Sequence, residues 1–235
     1  FSGGALEGNI YLDRQVTLTS SVIVKNGKTL NLCLNGNTLS NSSSGAIEVE
    51  SGGTLNLCDC GSGGKVAGGS YASIKNYGTT KISGGTMISM YDNGIVNYSG
   101  EIYLSGLPII TSGSSYASIY MSSGKLFAND GNETQSYYTG DKLTLNCGNY
   151  SSGSIAVYGV NDSNKDRFTL KNTNYELQKG TDHNLHNLVI KGIDKKISWQ
   201  DDNGQNLSGD AYPTGAEYGA GIILPDVPAK PGFIA

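Results

Sequence analysis

The chain has 235 residues, a formal net charge of −4, 34 glycines and 5 prolines. Both signs of charge are spread along it with no basic cluster, which leaves no electrostatic footprint for nucleic acid, and no apolar run reaches the length of a membrane span. Glycine at about twice average usage, with Leu, Ile, Val and Tyr in short alternating runs, argues against a helical protein and predicts an all-β fold with many turns.

Residues 1 to 21, with Leu12, Val16 and Leu18 as apolar members, read as a first coil that covers one end of a stacked core. Next, Val24-Lys25-Asn26-Gly27 recurs 25 residues on as Val49-Glu50-Ser51-Gly52 and again as Ile74-Lys75-Asn76-Tyr77. The same step relates Leu30, Leu55 and Thr80, then Leu32, Leu57 and Ile82, then Cys33, Cys58 and Ser83. A fixed period of this length is the signature of a solenoid. Short parallel strands joined by turns would stack coil on coil, placing Val24, Val49 and Ile74 one above another. By strand parity Val22, Val24, Asn26, Leu30 and Leu32 point inward and Lys25 and Asn31 outward. Asn26, Ser51 and Asn76 then stack at one corner, with Gly27, Gly52 and Gly78 supplying its turn dihedrals, and Lys25, Glu50 and Lys75 form an outer charge ladder.

Downstream the step shortens to 21 or 22, so that Ile74, Asn76 and Ile82 reappear as Ile95, Asn97 and Leu104. A weaker copy follows, with Gly124, Leu126 and Ala128 lying 24 residues beyond Gly100, Ile102 and Leu104. Leu143-Thr144-Leu145, Ile155-Ala156-Val157, Phe168-Thr169-Leu170 and Leu188-Val189-Ile190 read as further strands, carrying the parallel stack to about residue 190. The expected organisation is a right-handed parallel β-helix over 1–193, in coils of about 21–26 residues, and a small β module over 194–235.

Four cysteines, Cys33, Cys58, Cys60 and Cys147, allow three full pairings. Parallel strands hold stacked residues about 4.8 Å apart, whereas a disulfide prefers Cβ atoms near about 3.8 Å. Cys33 and Cys58 are therefore expected as free thiols. The C-x-C of Cys58 and Cys60, with no second pair and no nearby His, is a weak metal signature.

Val22 to Ser40, through Gly27-Lys28-Thr29-Leu30-Asn31-Leu32-Cys33-Leu34-Asn35-Gly36-Asn37-Thr38-Leu39, resembles a coil of the pectate-lyase-like right-handed β-helices of large bacterial surface proteins. The resemblance spans roughly residues 9 to 130 and implies the fold and an exported, cell-surface setting; the motif is structural and carries no activity. Ile197-Ser198-Trp199, Asp202-Asn203-Gly204, Glu217-Tyr218-Gly219, Leu224-Pro225, Pro228 and Lys230-Pro231-Gly232-Phe233 resemble the start of the β-grasp-type B repeats of listerial internalins. That second likeness implies a stalk or adhesion module within a larger multidomain chain. The start at Phe1 rather than Met is what a processed protein or an expression fragment would show, and export is an inference.

Catalytic chemistry finds little to work with. A lyase of this fold needs clustered acidic calcium ligands and a basic residue to take the proton, yet Arg14 and Arg167 are the only arginines and lie far apart in the sequence. Hydrolysis needs two opposed carboxylates, and Glu48, Glu50, Asp59, Asp92 and Glu101 share no common register. The Gly-His-Gly element of polygalacturonases is absent from the sequence, and no catalytic residue is assigned. Asp162, Asn164 and Asp166 have the alternate spacing of a calcium loop, but Arg167 replaces its glycine and Thr173 its closing Glu. Asp182, His183 and His186 offer a second metal possibility against a solvated loop. No other cofactor is implied.

Tyrosine stands out, at 15 against 4 Phe and 1 Trp. Tyr77 and Tyr98 lie 21 residues apart, and Ser70-Tyr71-Ala72-Ser73-Ile74 recurs as Ser115-Tyr116-Ala117-Ser118-Ile119. Such rings suit a glycan-binding edge, and they serve equally to cap coil edges. The sequence thus points to a monomeric, non-enzymatic extracellular module, acting in adhesion or as a display and spacer rod. Its expected partner is a host or environmental glycan or a surface protein, with no nucleic acid and no membrane insertion. The alternatives are a carbohydrate-binding module using Tyr71, Tyr77, Tyr98 and Tyr116, and a polysaccharide lyase or glycosidase.

Overall fold

The structure, a computed structural model, describes residues 3–113, 115–132, 136–180, 187–200, 203–207 and 214–221. Three long faces of parallel strands wind into a right-handed β-solenoid of about seven turns. Face one has eight strands: Gly4–Ala5, Val22–Val24, Ile47–Val49, Ile74–Asn76, Ile95–Asn97, Ile119–Met121, Leu143–Asn146 and Phe168–Leu170. Face two has six: Gly8–Tyr11, Thr29–Cys33, Thr54–Cys58, Thr79–Ile82, Glu101–Leu104 and Lys125–Phe127. Face three has five: Val16–Leu18, Thr38–Asn41, Lys65–Gly68, Thr86–Ser89 and Ile109–Ser112.

Period-two alternation builds the core directly. Along face two Leu30 pairs with Leu55 and Leu32 with Leu57, which pairs in turn with Ile82 and then Leu104. All are buried. Each inward row is thus a column of apolar side chains one coil apart, so every coil buries its neighbour's face and none is stable alone. Val24 stacks on Val49 as expected.

Ile74 does not continue that column. It pairs with Ile47, and Asn76 lies opposite Val49, so face one has slipped by two residues while face two keeps the 25-residue step, with Leu57 opposite Ile82. The slip arises in the corner between these faces. Glu50 to Gly53 make a four-residue turn in one coil, whereas Tyr77 and Gly78 alone make it in the next. A slip of two preserves parity, so Ile74 still faces the core. Its consequences overturn three expectations. Asn26 and Ser51 are exposed members of the longer turns, not inward corner residues. Gly27 and Gly52 adopt φ of 70° and 77°, which only the longer turn requires, while Gly78 does not have a positive φ. Lys25 bridges Glu50 at 2.5 Å, but Lys75 pairs in register with Glu48 and sits 4.5 Å over the Tyr71 ring.

The short corner has its own polar device. Asn76 and Asn97 stack in register, fully buried, with Asn76 Nδ2 donating to Asn97 Oδ1 at 2.9 Å and Thr80 Oγ1 donating to Asn76 Oδ1 at 2.8 Å. Asn76 Nδ2 also reaches the carbonyls of Gly78 and Glu101, and Asn97 Nδ2 that of Gly100. Gly78 O already accepts from Glu101 N and Gly100 O from Lys125 N, so the amides give these oxygens a second donor and tie the corner across coils.

Parallel stacking ends at Leu170, short of residue 190. Ile155–Val157, which precedes the last parallel strand, forms an antiparallel three-stranded sheet with Leu188–Gly192 and Tyr175–Lys179. Tyr175–Lys179 and Leu188–Gly192 are consecutive strands whose near ends meet through Gly180 N donating to Asn187 O, so they pair as an antiparallel hairpin. Val157, Leu188 and Ile190 of this sheet are buried in the main core, closing its end. Asp194–Lys196 then pairs antiparallel with Gly215–Glu217, and Trp199–Gln200 with Asn206–Leu207. Asp202, Leu224, Pro225, Pro228 and Lys230 to Phe233, on which the B-repeat likeness partly rests, lie outside the described residues.

The cysteine expectation also needs correcting. Cys33 and Cys58 pair in register and are not bonded to each other, as strand spacing requires. Cys33 is instead bonded to Cys60, with Cα atoms 6.1 Å apart. Cys60 lies past the end of the Thr54–Cys58 strand, where the chain turns back free of the strand register, within the Cα range a disulfide uses. Cys58 and Cys147 are free.

Candidate functional site

The outward row of face two runs the length of the sheet. Register places Asn9, Asn31, Asn56, Lys81, Tyr103 and Phe127 side by side, and a further bridge sets Tyr158 beside Phe127. Their alternation with buried leucines and isoleucines forces them outward. Asn56 Nδ2 donates to Asn31 Oδ1 and Asn31 Nδ2 to Asn9 Oδ1, both at 2.7 Å. Lys81 Nζ lies 5.2 Å from the Tyr103 centroid, Tyr103 and Phe127 stack at 4.4 Å and 4°, and Tyr158 follows at 5.1 Å. Every member of the row is engaged with its neighbour along the rod.

Part of this face is a groove of about 670 Å³, from Asn9 and Tyr11 past Cys33, Cys58 and Lys81 to Tyr103, walled by Asp130, Asn132 and Ser136. Tyr103 and Asp130 along it are shifted. Burial and a hydrogen bond to Glu101 push the Tyr103 hydroxyl up to about 12, the bond being 2.7 Å from Oη to Oε2. Glu101 also faces Lys125 at 3.4 Å. Against the upward pull of desolvation, hydrogen bonds from the backbone and side chain of Asn132 keep the Asp130 carboxyl below its usual range. Asp13, Glu50, Asp162 and Glu217 are likewise lowered, by Arg14, Lys25, Lys179 and Ser152. A general acid at neutral pH needs a raised carboxyl, and each of these shifts runs the other way. Arg14 is paired with Asp13, and Arg167 donates to Gly140 O at 2.9 Å.

The four tyrosines are divided. Tyr77 and Tyr98 stack face to face at 4.7 Å and 6°, so each covers one ring face of the other. Tyr98 also lines a hollow of about 360 Å³ with Tyr116, Tyr120, Asp92, Asn146 and Lys171, which neither Tyr77 nor Tyr71 reaches. Tyr71 and Tyr116 are half exposed, under Lys75 and Lys171 respectively.

Asp162, Asn164 and Asp166 have unlike surroundings. Asn164 is buried, its Nδ2 bonded to Ala128 O and its Oδ1 to Asn161 N, while Asp162 is exposed and pairs with Lys179 and Lys165. Asp166 is exposed beside them in the Lys165–Arg167 turn. Asp182, His183 and His186 lie outside the described residues. Among the described residues one cluster brings metal-ligating atoms together: the sulfurs of Cys33, Cys58 and Cys60 lie within 4.8 Å of one another.

Sequence reading passed over the Tyr103, Phe127 and Tyr158 column. The signal was present, since Tyr103 and Phe127 sit between the aligned pairs Ile102/Leu104 and Leu126/Ala128 and must therefore face outward at equivalent positions. No family model, no curated protein and no solved structure matches this chain.

Proposed function

We propose that this chain is a non-enzymatic extracellular rod, a spacer or display module of a bacterial cell-surface protein. The observation that carries the reading is the outer face of the solenoid, where side chains are spent on the next coil rather than turned to a ligand: the Asn9–Asn31–Asn56 ladder, the Lys81–Tyr103–Phe127–Tyr158 column, the Tyr77–Tyr98 stack and the Lys25–Glu50 pair. Contacts of this kind stiffen a one-dimensional stack, whose stability is a sum of coil and interface contributions. The Cys33–Cys60 disulfide supports export, because such bonds persist in oxidising compartments. The likeness of residues 9 to 130 to surface-protein coils and of 194–235 to internalin B repeats points to the same setting. No calcium requirement is part of this proposal.

Small-angle scattering with an activity panel tests it. The chain should scatter as a monomeric rod and release no sugar products from pectin, alginate or neutral glycans, with or without calcium. Product release lost in Glu101→Gln or Asp92→Asn would refute the non-enzymatic reading. A second reading, glycan recognition, has a specific observation in its favour: Tyr98, the last ring of its stack, opens with Tyr116 onto the hollow beside Asp92. Aromatic rings beside a carboxylate suit a sugar ring. Retention on a glycan array that is abolished by Tyr98→Ala, with the melting temperature nearly unchanged, would establish that reading; a blank array would refute it.

A further inference from the structure

We propose that Cys33, Cys58 and Cys60 form a thiol–disulfide exchange site in which one disulfide migrates between the Cys33–Cys60 and Cys58–Cys60 pairings. The free Cys58 Sγ lies 3.8 Å from Cys60 Sγ, beside the bond joining Cys60 to Cys33. Exchange requires a thiolate close to a disulfide sulfur and a leaving sulfur able to carry charge. The second condition is built in: the backbone N–H of Cys60 donates to Cys33 Sγ at 3.2 Å, and a donor there stabilises a departing thiolate. Burial and the charge of Asp59 raise the Cys58 thiol above its ordinary value, so exchange is favoured at alkaline pH. The Asp59 carboxylate itself is tied away from the sulfurs, accepting from the N–H groups of Gly36 and Gly64, at 2.7 and 2.8 Å.

In the step, Cys58 gives up its proton and its sulfur attacks Cys60 Sγ. The Cys58–Cys60 bond forms as the Cys60–Cys33 bond breaks, and the electron pair leaves on Cys33, which takes up one proton in exchange. No outside oxidant or reductant is consumed. The two states differ in what they join. Cys33–Cys60 staples one coil to the next, whereas Cys58–Cys60 lies within a single coil and frees the Cys33 thiol at the lip of the groove it lines. The thiol outside the bond is then the group that a disulfide-bearing small molecule or partner would engage.

Mapping under non-reducing conditions decides it. Protein held in air at pH 8 is quenched with acid, alkylated with N-ethylmaleimide in denaturant at low pH, and digested. Two cross-linked products, 33–60 and 58–60, are expected, with the label divided between Cys58 and Cys33. Cys33→Ser should carry the 58–60 bond; serine is compatible with this column because Ser83 follows Cys58 in the next coil, its N–H bonded to Leu57 O. A single 33–60 product with label at Cys58 and none at Cys33, an absence of any disulfide among the three, or a Cys33→Ser protein with Cys58 and Cys60 both free would each overturn the proposal.

Discussion

Replacing Asn76 by Leu isolates the polar corner of the rod. The side chains are of similar size, so the change removes hydrogen bonds with little change in volume. Two fully buried groups lose partners: Asn97 Oδ1, which accepts from Asn76 Nδ2 at 2.9 Å, and the Thr80 hydroxyl, which donates to Asn76 Oδ1 at 2.8 Å. Each buried group left unsatisfied costs about 1–3 kcal/mol, and the added apolar burial of leucine returns about 1 kcal/mol, giving a net loss of about 3 kcal/mol. Thr80→Val removes one of the same bonds and should cost about 1–3 kcal/mol. Because both variants break the Thr80–Asn76 contact, the double variant should cost less than their sum. Urea unfolding followed by far-ultraviolet circular dichroism measures all three, and an unchanged m-value would assign the difference to the folded state. A loss under about 1 kcal/mol for Asn76→Leu, or strict additivity with Thr80→Val, would refute the claim that these amides hold the short turn.

Leu57→Asp puts a carboxylate into a core column where Leu57 is only 2% exposed, and a thermal melt should register a loss of several kcal/mol, about 3 or more. Lowering pH should destabilise the rod through its surface carboxylates: Lys25 holds Glu50, Lys179 holds Asp162 and Ser152 holds Glu217 below their usual values. A carboxyl depressed on folding contributes stability that is present above its unfolded pKa, about 4, and lost as pH falls through the folded one. The melting temperature should therefore be level from neutral pH to about 5 and decline below about 4, more gently in a Glu50→Gln, Asp162→Asn variant. Burial pushes the Cys147 thiol up to about 12, so iodoacetamide at pH 8 should leave it unmodified in the folded protein and label it on unfolding.

How far the sequence discloses this architecture depends on what each residue's neighbours determine. The columns of Leu30, Leu55 and of Leu32, Leu57, Ile82 are legible because strand alternation and a constant step coincide. The two-residue slip at Ile74 is not, since Asn26 and Asn76 align by identity although one sits in an exposed four-residue turn and the other in a buried two-residue corner. Parity hides the slip: inward residues stay inward either way. Ile155–Val157 and Leu188–Gly192 look like the earlier strands because alternation reports burial and says nothing of direction. The Cys33–Cys60 bond escaped a spacing argument that was sound for Cys33 and Cys58, because Cys60 lies beyond the strand in which that spacing holds. The stacked faces of Tyr77 and Tyr98 belong to the same lesson, since recurrence at 21 residues predicted neighbours, and neighbouring rings in a solenoid cover each other.

The distance between two spin labels along face two tests the stacked rod most directly. Thr29, Thr54, Thr79, Glu101 and Lys125 are successive partners in register, so four inter-strand spacings separate the first from the last. At about 4.8 Å each these sum to about 19 Å, although the residues are 96 apart in sequence. With labels at Thr29→Cys and Lys125→Cys in a background lacking the four native cysteines, pulsed electron resonance should give one narrow distribution centred near about 19 Å plus the reach of the labels. A broad distribution, or a centre beyond about 40 Å, would mean that these coils do not stack in the register on which the rod depends.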